Sequence, residues 1–289
     1  MKKSLLFCLV VILLSAFPVM AQPEGPPPAL LIVREEIKPG MMSVHNRHSA
    51  EFTSIFNQLQ TPNYRIAMVP VAGNENEVIY ITPLESFAEL ETINRSTESK
   101  LESATGMTRA NLERLDKEGP ALHNAMRDML AIYRPELSFN PAVNLSQMRY
   151  FSVTTTRVKP GYETQYADYL QKILNPARQN AKVTNLHLAV FQVISGAQAG
   201  TFITFRPMKP LAEIDDPIFR RVRAGMSDDM RKDADKAVRE TVMSGESSIY
   251  AFAPRMSYVP KDMAAADPAF WNPKPAAAPA KPKGKTGTR

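Results

Sequence analysis

Cysteine is almost missing from this chain. Cys8 is the only one, and it lies in the N-terminal apolar stretch, so the rest of the protein has no disulfide and no cysteine-based metal or cluster site. A phosphate-cradling glycine-rich loop, a Gly-x-Ser-x-Gly elbow and a His-Glu-x-x-His pair are all absent. Their absence argues against the familiar nucleotide-dependent enzymes, serine hydrolases and zinc proteases. After residue 21 no apolar run is long enough to span a bilayer. The formal charge is only +6, and Lys2, Lys3 and the C-terminal basic residues carry most of it. Residues 22–263 are then about neutral, and nothing in them asks for a nucleic-acid partner.

Residues 1–21 have the form of a secretory signal peptide. Lys2 and Lys3 precede an apolar run from Leu5 to Leu14, and Val19-Met20-Ala21 offers small residues for cleavage after Ala21. The expectation is an exported protein, periplasmic or secreted. Residues 22–29, rich in proline, read as an extended leader.

An internal repeat dominates the remainder. Ile37-Lys38-Pro39-Gly40 returns as Val158-Lys159-Pro160-Gly161, each after an apolar run and before a helix-like stretch. Tyr64-Arg65-Ile66-Ala67 aligns with Leu186-His187-Leu188-Ala189, which makes Arg65 the counterpart of His187. Val78–Thr82 aligns with Gly200–Thr204, and Pro135–Phe139 with Pro254–Tyr258, at spacings of 119 to 124 residues. Proline ends each first strand by removing a ladder donor, and glycine allows the reversal that follows.

Each copy reads as β-α-β-β-α-β. In the first, a strand from Leu30 precedes a helix over 41–59 with Val44, His48, Phe52, Ile55 and Leu59 at helical spacing. Strands over 64–71 and 77–82 flank a hairpin loop, Ser86 and Glu89 form a capping box, and a last strand covers 128–134. In the second, a strand over 147–158 leads to a helix over 162–179, strands over 185–194 and 200–205, helices over 211–223 and 228–242, and a strand over 248–252. The modules are thus 30–139 and 148–260, joined by a linker at 140–147. The Ala/Pro/Lys-rich segment 261–289 reads as a disordered tail, in which Phe270 and Trp271 either dock on the body or stay exposed.

This order, the strand–(Lys-Pro-Gly)–helix opening and the duplication resemble the ferredoxin-like dimeric α/β-barrel superfamily. That superfamily includes antibiotic-biosynthesis monooxygenases, EthD-like and NIPSNAP-like proteins and the haem-binding chlorite-dismutase group. The resemblance implies an α+β fold: two tandem ferredoxin-like modules whose antiparallel sheets pack as a pseudo-dimeric α/β barrel within one chain. Pairing inside one chain predicts a monomer or a weak oligomer.

Candidate site residues follow from where the copies differ. His45 and His48, at i and i+3, could face one metal or haem, whereas Tyr166 and Tyr169 stand in the second copy. Amphipathic rings that pack and reach one polar partner explain both pairs equally. Arg65 and His187, on otherwise apolar strands, serve either as polar anchors for a ligand or as structurally satisfied groups. A small, mostly apolar molecule bound in or beside the barrel would then contact Arg65, His187, His48 and Tyr169. In the enzyme alternative, a cofactor-independent monooxygenase, His187 is the general base. No cofactor is expected beyond the His45/His48 alternative. A structural or partner-binding envelope protein is the third possibility.

Overall fold

The structure is a computed structural model that describes residues 25–273. The predicted signal peptide at 1–21 and the tail from residue 274 lie outside the described residues. The first half contains β1 (Ala29–Ile37), α1 (Met42–Leu59), β2 (Ile66–Ala72), β3 (Glu77–Leu84), α2 (Phe87–Glu102), α3 (Gly106–Glu118) and β4 (His123–Tyr133). The second contains β5 (Tyr150–Val158), α4 (Glu163–Asp168), a π-helical turn (Tyr169–Leu174), α5 (Asn175–Asn180), β6 (Ala189–Ser195), β7 (Thr201–Met208), α6 (Ile218–Ala224), α7 (Asp228–Thr241) and β8 (Val242–Phe252). Two short helices follow, α8 (Lys261–Ala266) and α9 (Pro268–Trp271).

The eight strands form one closed antiparallel barrel in the order β1-β3-β2-β8-β5-β7-β6-β4. Strands β1 to β4 pair among themselves, as do β5 to β8. Two seams close the ring: β2 against β8, with Met68 opposite Phe252, and β4 against β6, with Tyr133 opposite Phe191. Closure leaves no free sheet edge. Glycines shape both seams. Gly73 and Gly196 sit just beyond β2 and β6 at φ +125° and +84°, and a Cβ on either would collide with the opposing strand at Ser248 or Asp128.

Successive side chains point to opposite faces of a strand, and here both faces are buried over much of the barrel, the starts of β4 and β8 excepted. Leu30, Ile32, Met68, Ile79, Met129, Phe151, Phe191, Phe205 and Tyr250 fill the barrel interior. Residues of the other phase, such as Ile37, Val78 and Tyr80, or Val158, Val190 and Phe202, face the helices. The space inside the barrel is a packed core.

Several expectations change. Strand β4 begins at His123, five residues earlier than its apolar stretch suggests, because its exposed polar start is paired along β1 (Glu36 opposite Ala125). The helix expected over 162–179 is three pieces with a π turn in the middle. Pro176, at the start of α5, has no N–H to give the carbonyl four residues back, and the widened turn accommodates it. Ser86 caps α2, but the Glu89 carboxylate accepts from the Glu85 N–H, not from Ser86 as a capping box requires. The disordered tail expected from 261 does not hold over Lys261–Trp271. That segment is helical, and Trp271 is buried in the barrel core, where an indole gains more from burial than from water. Among the described residues no helix is long and apolar enough to cross a membrane.

Candidate functional site

On the helix side of the first half, polar groups from four elements and the residue before β2 converge. Glu35 comes from β1, His45 and Ser49 from α1, Tyr80 from β3, His123 from β4 and Arg65 from just before β2. The spacing of α1 explains the pair it supplies: positions 45 and 49 are i and i+4 and share one face. His45 Nε2 donates to Glu35 Oε2 at 2.7 Å, and His123 Nε2 stands 3.3 Å from the same oxygen. His123 Nδ1–H donates to the Gly119 carbonyl at 2.9 Å, and the two imidazoles meet edge to face at 5.2 Å. Tyr80 shares a 2.6 Å hydrogen bond with Ser49, and the Arg65 guanidinium lies 4.6 Å from the Tyr80 ring centroid. Burial alone would raise the Glu35 carboxyl, but the hydrogen bond from His45 and the charges of His45, His123 and Arg65 hold it below the ordinary range. Burial, with the neighbouring Glu35 charge, pushes the Tyr80 hydroxyl far up.

The corresponding space in the second half is open. A cavity of about 370 Å³ lies between the outer face of β5 and β7 and the α4–π–α5 segment. Thr154, Thr156, Tyr166, Tyr169, Leu188 and Val242 line it, together with two buried arginines, Arg178 and Arg206. Arg178 is 6 % exposed. One of its nitrogens donates to Asn175 Oδ1 at 2.7 Å; among the described residues its Nε has no partner and no carboxylate pairs with it. Burial pushes its pKa down to about 10, which still leaves a cation at neutral pH. Arg206 donates to the Glu213 carbonyl, and its Nε is likewise without a partner. Burial lowers it, against the opposing pull of Glu213 and Asp216. Burial also raises the Tyr166 and Tyr169 hydroxyls, so both remain neutral donors. A larger groove of about 630 Å³ runs between α1 and residues 254–273, but the charged side chains lining it, Arg255 and Lys261, are exposed.

No protein-family model matches the chain, and no curated protein matches it in sequence. Among solved structures, an anthrone oxidase-like protein aligns over 78% of this chain and 90% of its own, with a TM-score of 0.51 at 15% identity. A candidate monooxygenase from Fusobacterium nucleatum aligns over 78% and 93%, at 0.47 and 8%. A chlorite dismutase variant from Candidatus Nitrospira defluvii aligns over 80% and 92%, at 0.46 and 8%. What the first likeness shows is the fold. Scores below 0.5 add nothing to it.

Within this barrel the residues singled out in the sequence are scattered. His45 and His48 do not converge, because His48 Nε2 donates instead to the Leu115 carbonyl at 2.8 Å and its ring packs on Phe52. Glu35 and His123 complete the cluster around His45. Their sequence contexts, a strand that looks apolar and a stretch that looks like a loop, gave no sign of it. Arg65 and His187 take unlike places in the barrel. Arg65 forms an isolated antiparallel bridge with Tyr258, and the like bridge in the other half joins Leu188 to Phe139. A one-residue slip turns a side chain to the other face of a strand, so the slip removes the match. His187 Nδ1–H donates to the Asn140 carbonyl at 2.7 Å, outside the cavity lining. Tyr169 is the candidate that does line the cavity. Arg178 and Arg206 were missed, since an arginine in a helix or strand looks like a solvated charge until its burial is known.

Proposed function

We propose that this protein binds a small, largely apolar molecule carrying an acidic group, in the cavity beside the second half of the barrel. The observation that carries the reading is Arg178, a buried cation that lines the cavity and has no carboxylate partner among the described residues. A buried charge is costly unless paired, and the guanidinium fork matches a carboxylate with two parallel hydrogen bonds or offers a single-point contact to a phenolate oxygen. Tyr166 and Tyr169 add neutral donors, while Leu170, Leu174 and Phe219 supply an apolar wall. The π turn at Tyr169–Leu174 suits this role, since such turns occur frequently at functional sites.

The chain is, on this reading, a tandem duplication of two ferredoxin-like modules, 30–139 and 148–260, paired as a pseudo-dimer and exported by its N-terminal signal. The two seams and the bridges Arg65–Tyr258 and Leu188–Phe139 support it. On that symmetry Glu35 matches Thr156, His45 matches Tyr166, Arg65 matches Leu188 and His123 matches Val242. The second module thus replaces the polar cluster with smaller or less polar residues and opens the cavity.

A second reading uses the same cavity for cofactor-independent oxidation of an electron-rich phenol, with Arg178 holding the phenolate that reduces oxygen. It is favoured by the two cations that would stabilise such an anion, and by the fold shared with a protein named as anthrone oxidase-like. Native mass spectrometry and calorimetry with aromatic carboxylates and phenols test the first reading. Binding that weakens at least about tenfold in Arg178→Gln supports it, and binding that is unchanged there overturns it. Oxygen uptake with anthrone-like phenols, lost in Arg178→Gln, would select the second.

A further inference from the structure

We infer that Glu35, His45 and His123 form a binding site for one divalent transition-metal ion, remote from the cavity. Glu35 Oε2, His45 Nε2 and His123 Nε2 all lie within 4.8 Å of one another, two of the three separations being 2.7 and 3.3 Å. A metal bonded at about 2.0–2.2 Å holds neighbouring donors about 3 Å apart, so only small side-chain adjustments are needed.

The hydrogen-bond geometry supports a metal more than a simple ion pair. Because His123 Nδ1 is the donor to Gly119, Nε2 is the ring nitrogen left to act as a ligand. That atom is buried and has no hydrogen-bond partner among the described residues. The Glu35 oxygen it faces, 3.3 Å away, accepts from His45, and His123 Nε2 makes no hydrogen bond to it. A backbone carbonyl fixing the far nitrogen is also what metal-bound imidazoles use to set their tautomer. On metal binding His45 would carry its proton on Nδ1, which lies 3.4 Å from the acceptor Asn46 Oδ1, and Nε2 would become the third donor.

The frame is rigid. Glu35 and His123 are on adjacent paired strands, and His45 is in the second turn of the 18-residue α1. Two imidazoles and one carboxylate suit zinc, cobalt(II) or iron(II) and not calcium or magnesium, which take oxygen sets. The Glu35 and His123 side chains are 12% and 14% exposed, which leaves an edge through which solvent reaches the ion. Arg65, whose charge acts on Glu35, would favour an anion such as hydroxide in the open position.

The test is a titration of the mature, tag-free chain, stripped of metal, with cobalt(II). One equivalent should bind with visible d–d absorption that zinc abolishes. Glu35→Gln and His123→Gln should each weaken binding at least about tenfold, with circular dichroism confirming that they fold, while His187→Ala binds as the parent does. If either variant fails to fold, the imidazole resonances of the parent chain decide. The ion must then perturb His45 and His123 and leave His187 alone. No saturable binding, unchanged binding in both folded variants, or perturbation of His187 in place of His45 and His123 would overturn the site.

Discussion

The indole N–H of Trp271 donates to the Ser146 carbonyl at 3.0 Å, and its ring lies 5.9 Å from that of Phe252. The C-terminal segment thereby latches one end of the barrel onto the connection between the halves. Arg149 strengthens the latch, pairing with Asp267 and stacking on Phe270 with its guanidinium 3.9 Å from the ring centroid. Trp271→Ala should cost about 3–5 kcal/mol, the usual range for emptying a buried aromatic site. Urea denaturation checks this; a loss under about 1 kcal/mol would mean the latch is not part of the cooperative core.

Arg178 should be expensive to keep. An apolar replacement of similar length, Arg178→Met, removes a buried cation; the Asn175 NH2 keeps its bonds to the Leu137 and Ser138 carbonyls, while its Oδ1 loses the Arg178 donor. Stability is expected to be unchanged or to rise by about 1–4 kcal/mol while anion binding is lost. Thermal melts with and without an aromatic carboxylate separate the two effects.

Glu35 gives a pH dependence with a definite sign. Its folded pKa is held below the ordinary 4.5, so the folded state binds the proton more weakly than the unfolded chain does. Its contribution is full above that ordinary value and is lost as pH falls through the folded pKa. Urea midpoints from about pH 6 to about pH 3 should show a shallower acid loss in Glu35→Gln than in the parent.

At the β4–β6 seam, a Cβ on Gly196 would lie 1.9 Å from the Asp128 carbonyl oxygen, and the residue's φ is +84°. Gly196→Ala combines left-handed strain with a backbone clash and should cost about 3 kcal/mol or more. Chemical denaturation measures it, with Gly40→Ala as the control. Gly40 has a similar φ of +80° but open space around its Cβ position, so it should cost only about 1–2 kcal/mol.

The order of strands and helices was legible because local signals carry it. Pro39 and Gly40, Ser86 and the apolar runs in β1 and β6 act through neighbouring residues and mark element ends without reference to the rest of the chain. Local signals failed at the start of β4. Residues 123–128 are mostly exposed, and their strand conformation comes from pairing with β1. They failed again between Tyr162 and Asn180, where hydrophobic spacing near 3.6 looks alike for an α-helix and for one broken by a π turn.

Taken alone, the chain determined two similar β-α-β-β-α-β runs with apolar strand faces, since burial of those faces is written in composition and period. Which strands meet at the seams, and therefore which side chains share a space, was decided by tertiary closure. His45 was visible as a candidate, but Glu35 and His123 reach it only through the packing of α1 on β1 and β4. Arg178 became a site residue only once its burial beneath the second sheet was known. Contacts between residues distant in sequence depend on register, and a one-residue slip, as at Arg65 and His187, reverses them.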